Sequence, residues 1–189
     1  METQRPREKE IIADDQREGL GLLLRLRVPW LVLGLFGGAV TAVFVSRFEK
    51  VISENIALAF FLPLIVYMSD AVGTQTEAIY VRNLVREKIR LRTYVIKETS
   101  LGIVLGLAFG ILLGLFAFFW LGDSSVAFTV GLAMAVNVAV APIIALLIAV
   151  FFHKEHTDPA VGAGPSTTVI QDFISLFIYF VISSLILFN

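Results

Sequence analysis

DPAVGAGPSTTVIQDFISLFIYFVISSLILFN, residues 158–189, closes the chain and decides its class. From Pro159 onward its one formal charge is Asp172, several residues inside a run that is otherwise long and apolar enough to cross a bilayer. A span of roughly 30 Å of hydrocarbon takes about 20 helical residues, and this segment supplies them. A carboxylate placed there costs at least about 2.5–3.5 kcal/mol on insertion scales, so it generally faces protein or water and not lipid.

The same pattern recurs upstream. The chain has 189 residues, 57% of them hydrophobic, and a mean hydropathy of +0.84, too little polar surface for a soluble domain of this length. Four further runs are long enough to span: residues 28–46, 55–79, 99–122 and 124–152, with the fifth beginning after Pro159 or Pro165. They are continuous apolar runs and lack the alternation of an outer-membrane barrel, which leaves helices as the spanning element. The fold class expected is an all-α integral membrane protein with five transmembrane helices per subunit. Residues 1–27 read as a cytoplasmic or interfacial amino-terminal segment, and residues 28–189 as the membrane domain. The amino-terminal stretch mixes both charge signs and lacks the form of a cleaved signal peptide.

Basic residues set the orientation. Six precede the first span, six follow the second, and Lys154 stands between the fourth and fifth, which leaves Arg47 and Lys50 alone on the other side. The positive-inside rule therefore puts the amino terminus in the cytoplasm. Net charge is −1 and there is no cysteine, so a nucleic-acid partner, disulfides and thiolate metal sites are not expected. With no nucleophile–base pair and no phosphate loop, an enzyme is not expected either.

Asp172 has company at helical spacing. Thr168, Asp172, Ser175, Tyr179 and Ser183 share one helix face, opposite a back of Ile, Phe, Val and Leu. In the second span Asp70, Thr74 and Glu77 share a face, with Gln75 near its edge, and Pro63 and Gly73 favour a bent or loosened helix. These are hard oxygen donors, suited to Mg²⁺, Ca²⁺ or Mn²⁺. Spacing alone leaves two readings open, an ion path or a polar seam between packed helices. Glu77 lies near the end of its span, where pairing with Arg82 is the simpler reading. Gly102, Gly106, Gly110 and Gly114 in the third span read as a close-packing groove, and Gly34, Gly37 and Gly38 in the first serve the same purpose. His153, Glu155, His156 and Asp158 could gather a transition metal, although short polar loops often hold such residues.

These residues also carry a resemblance. DPAVGAGPSTTVIQD, residues 158–172, resembles the signature of the MgtE magnesium channels and transporters, in which Asp-Pro-Ala leads through Gly-Pro and threonines to a second Asp. RVPWLVLGLFGGAVTAVFVSRFEKVI resembles the family's first helix through Arg27, Trp30, Phe48 and Glu49. LAFFLPLIVYMSDAVGTQTEAIYVRNL resembles its second through Pro63, Gly73, Gln75, Thr76 and Arg82. The likeness covers about residues 25–188 and implies an MgtE-like homodimer in the cell (inner or plasma) membrane, with a path on the dimer axis lined by the second and fifth spans.

The resemblance further implies that Asp172 is the principal Mg²⁺ ligand, and that Asp158 is a metal position at the cytoplasmic end. Asp70 is expected as a second metal position, and Thr168, Ser175, Thr74, Gln75, Glu77 and Tyr179 as lining residues. Mg²⁺ is the expected transported and bound ion, with Mn²⁺, Co²⁺ and Ca²⁺ as alternatives. Competing readings are a Na⁺- or proton-coupled divalent cation exchanger, or a non-conducting membrane scaffold subunit. Two departures stand out. Where the family reads Gly-Gly-Asn, this chain has Ser69, Asp70 and Ala71, a further carboxylate that changes the field along a path. The 27 residues ahead of the first span are also too few for the family's cytoplasmic sensing domains, so gating would call on a separate regulatory protein.

Overall fold

In a computed structural model that describes residues 19–86, 90–154 and 159–187, the chain forms six helices. They are α1 (Leu20–Ser46), the short α2 (Glu49–Glu54), α3 (Ala57–Arg86), α4 (Leu91–Leu121), α5 (Ser124–Lys154) and α6 (Pro159–Leu187). All but α2 contain a stretch long and apolar enough to cross a membrane, as the five runs predict.

The helices overshoot the apolar runs at several ends. α1 starts at Leu20 and so takes Arg25 and Arg27 into its exposed first turns. At 1.5 Å per residue its 27 residues reach about 40 Å, past the hydrocarbon and into the headgroup layer where arginine heads are solvated. The hydropathy boundary is a property of the membrane, whereas the helix ends where its backbone bonds end. Pro63 and Pro165 lie inside helices whose assignment continues through them. The loosened turn expected near Gly73 is therefore replaced by unbroken helix.

α4 and α5 form a tight antiparallel hairpin. Gly122 closes α4 in the left-handed conformation (φ 70°), which glycine adopts without a Cβ clash. Asp123 then caps α5, its Oδ1 accepting from the backbone N–H groups of Ser125 at 2.8 Å and Val126 at 3.1 Å. Past the turn the two helices meet in a four-residue register. A Cβ added at Gly102 would sit 2.8 Å from the carbonyl of Ala139, and one at Gly110 would sit 2.6 Å from that of Gly131. Gly106 meets Ala135 and Gly114 meets Ala127 in the same way. The glycine groove of α4 is thus filled by backbone. Its counterpart, Ala127, Gly131, Ala135 and Ala139 on α5, is equally visible in the sequence once the partner helix is known.

α5 is the central helix, packed on α4, α3 and α6. The core gathers Leu58, Phe61, Ile65, Val130, Met134, Val138, Tyr179 and Phe180. α1 leans on α6, where Gly37 closes on the side chain of Val169 and a Cβ added at Gly34 would lie 3.8 Å from it. Gly38 behaves differently: a Cβ there would meet nothing within 4 Å. Rings gather near helix ends, Trp120 with Phe60 and Phe61 at 5.9 Å, and Trp30 with Phe152 at 5.2 Å, in the manner of interfacial aromatic belts.

Candidate ion site

α3 and α6 run antiparallel, and two buried bonds fix their crossing. The Tyr179 hydroxyl donates to the Leu58 carbonyl at 2.7 Å, and the Gln171 amide donates to the Ser69 hydroxyl at 2.7 Å. Residue numbers rise on one helix as they fall on the other. This register brings Asp70, near the middle of its span, within electrostatic reach of Asp172. The two oxygen-bearing helices expected from the sequence are therefore neighbours within one subunit.

Asp172 is partly buried and borders a crevice of about 850 Å³ between α1, α3 and α6. Gly34, Gly38 and Thr41 form its α1 wall, Val66 its α3 wall, and Thr168 stands on α6 beside the carboxylate. The bare Cα of Gly38 helps keep this space open. A second cavity, of about 390 Å³, is lined by Thr74, Glu77, Arg82, Gly164 and Thr168. Thr168 borders both, so the cavities adjoin along α6. Glu77 and Arg82 share the smaller cavity, and Glu77 is 9% exposed.

The five-residue polar face of α6 divides. Thr168 is exposed and Asp172 borders the crevice. Ser175, Tyr179 and Ser183 are buried at 1%, 0% and 0% exposure, and Ser183 donates to the Tyr179 carbonyl at 2.8 Å. Ser175 and Tyr179, expected along a path, thus sit in the packed interior of the subunit. The face divides along its length: Tyr179 is bonded to Leu58 of α3, whereas Thr168 and Asp172 line the crevice beside α1. On α3, Thr74 and Gln75 are exposed and Asp70 is partly so. Asp158, Glu155 and His156 lie outside the described residues, as does the side chain of His153. Among the described residues, no three His, Cys, Asp or Glu side chains converge as a metal cage.

Gln171 and Asn137 escaped the sequence reading, and Ser69 figured there only as a departure; they are 1%, 1% and 0% exposed. The Ser69 hydroxyl also reaches the Asn137 carbonyl at 3.4 Å. Thr76, 3% exposed, donates to Glu98 on α4 at 2.8 Å. Gln171 adjoins Asp172 in sequence but falls on a different face, so a search along the acidic face passes over it.

The fold and these cavities define a multi-pass helical membrane protein that keeps carboxylates at bilayer depth, beside open space between its spans. Residues 62–182 match MgtE, described as a divalent cation transporter, and the chain belongs to that family. It is 32% identical to the magnesium transporter MgtE of Bacillus subtilis, over 84% of this chain and 36% of that protein. It is 33% identical to the protein of the same name from Enterococcus faecalis, over 84% of this chain and 36% of that one. For the namesake from Thermus thermophilus the identity is 28%, over 85% and 36%. The chain thus spans about a third of the length of these relatives.

Proposed function

We propose that the chain moves a divalent cation, Mg²⁺ first, across the cell membrane along a path lined by α3 and α6 and completed by a second copy of itself. The observation that carries this reading is the uncovered polar face. Thr74, Gln75 and Thr168 are exposed on the single subunit, with Asp70 and Asp172 partly so, all within the membrane-spanning parts of α3 and α6. Left against lipid, such groups cost several kcal/mol, roughly 2.5–3.5 for each aspartate alone. A symmetric partner laid on this face turns the cost into a hydrated lumen with two copies of each carboxylate.

One directly bound carboxylate per subunit, with Asp70 acting through its charge, suits Mg²⁺ well. The ion gives up water reluctantly and is usually held by one or two carboxylates with several waters kept. Asp172 from each subunit would supply the charge, and Thr168 and Thr74 would bond to the retained water. Amino-terminus-in orientation places Glu77 and Arg82 toward the cytoplasmic mouth. The membrane potential drives entry, since a dication gains about 4.6 kcal/mol per 100 mV moving inward. The family's printed description and the names of the three relatives support the ion class.

The test is flux into proteoliposomes under an imposed negative-inside potential, read with an enclosed Mg²⁺ dye. Asp172→Ala should abolish uptake while the protein still elutes as a folded dimer. Uptake at the parent rate in that variant would refute the assignment.

A further inference from the structure

The two aspartates of the proposed path are each preceded by a residue of the buried bond that joins their helices. Ser69 precedes Asp70 and Gln171 precedes Asp172. We propose that Gln171 is a positioning residue: its clamp on Ser69 fixes the α3–α6 register at which Asp70 and Asp172 act on one ion, and so sets the affinity and selectivity of transport. The proposal rests on the reading of Asp172 as the cation site.

The clamp has three parts. The Gln171 Nε2 donates both to the Ser69 hydroxyl, at 2.7 Å, and to the Ser69 carbonyl, at 3.3 Å, so it gauges the backbone of α3 as well as a side chain. The Ser69 hydroxyl continues to the Asn137 carbonyl at 3.4 Å, which ties both helices to the central α5. On the other side, the amide oxygen of Gln171 accepts no hydrogen bond and faces Gly73, where an added Cβ would lie 2.8 Å from it. Donor and oxygen of one amide thus bear on α3 at positions four apart, on the same face of the helix.

Such an arrangement resists sliding. Ser69 and Gln171 are 0% and 1% exposed, so a shift of one helix strands buried donors with no water to replace the bond. Consecutive helix residues are related by a fixed rise of about 1.5 Å and a fixed turn, so holding residues 69 and 171 holds 70 and 172.

The experiment uses the full chain in liposomes, with Mg²⁺ and Ca²⁺ influx measured under a fixed potential for Gln171→Leu, Ser69→Ala, their double variant and Gly73→Ala. Gln171→Leu should raise the half-saturating Mg²⁺ concentration at least fivefold and lower the Mg²⁺-over-Ca²⁺ preference, with the maximal rate falling less than twofold. Gly73→Ala, which pushes the same amide, should move half-saturation in the same direction. The double variant should fall short of the product of the two single effects, since both variants remove the bond between Gln171 and the Ser69 hydroxyl. Unchanged half-saturation and preference in Gln171→Leu would overturn the proposal, as would effects that simply multiply in the double variant. If Gln171→Leu does not fold, Ser69→Ala decides: it keeps the carbonyl contact and should still shift half-saturation about twofold, and no shift counts against the clamp. Asp172→Asn is run alongside. Full flux in Asp172→Asn removes the transport reading and this inference together, whereas a dead Asp172→Asn beside normal clamp variants removes the inference only.

Discussion

The hydroxyl of Tyr179 donates to the carbonyl of Leu58 at 2.7 Å, with the tyrosine entirely out of contact with solvent. The bond joins the later half of α6 to the first turn of α3. A residue expected to line a path is here a strut between helices. Tyr179→Phe should therefore cost about 0.5–1.5 kcal/mol of stability, the usual net worth of one hydrogen bond. Thermal unfolding in detergent measures the cost. The half-saturating Mg²⁺ concentration should stay at its parent value, and a large rise would return Tyr179 to the path.

Two glycine substitutions should part company. Gly110→Ala forces a methyl to 2.6 Å from the Gly131 carbonyl, and overpacking of this kind costs roughly 1–3 kcal/mol. Gly38→Ala meets nothing within 4 Å and should stay within about 0.5 kcal/mol of the parent, as is usual away from packed features. Comparing denaturation midpoints of the two settles whether the α4–α5 contact is as close as described.

Thr168 borders both cavities along α6. Thr168→Trp would fill the space where they adjoin without entering the core, because position 168 is exposed in the subunit. Flux should fall by more than tenfold while the elution profile and unfolding midpoint hold. Parent-level uptake in Thr168→Trp would place the path elsewhere.

Asp70 adds negative charge within reach of Asp172. Asp70→Asn keeps the shape and removes the charge. Apparent Mg²⁺ affinity should weaken on the order of tenfold, or about 1.4 kcal/mol, with transport retained. Concentration dependence of influx is the measurement, and an unchanged affinity would mean that Asp70 does not face the ion.

The Thr76 hydroxyl bonds to Glu98 at 2.8 Å and joins α3 to α4. A hydrogen bond to a charged group is worth roughly 1.5–3 kcal/mol. Thr76→Val should lower stability by that order, and Thr76→Ser should recover most of the loss. Chemical denaturation of both variants checks this; equal stability of parent and valine variant would show the bond to be idle.

The spans were legible in the sequence because a bilayer sets a length and a polarity that local composition must meet. Residues 28–46 and 124–152 had no other reading, and the four glycines from Gly102 to Gly114 announced a close helix contact. The polar face of α6 was legible as a face and nothing more. Periodicity places Thr168, Asp172, Ser175 and Tyr179 on one side of a helix, but says nothing of what each part of that side meets. Packing decided it: Ser175 is buried and Tyr179 is bonded to α3, while the crevice beside α1 leaves Asp172 and Thr168 open. Gln171, the clamp on Ser69, and the register that brings Asp70 toward Asp172 depend on contacts about a hundred residues apart. Sequence alone determines which groups a membrane must hide, because that cost is paid residue by residue. Only the tertiary structure decides which are hidden and which are shared, because that depends on the shape of the neighbouring helix.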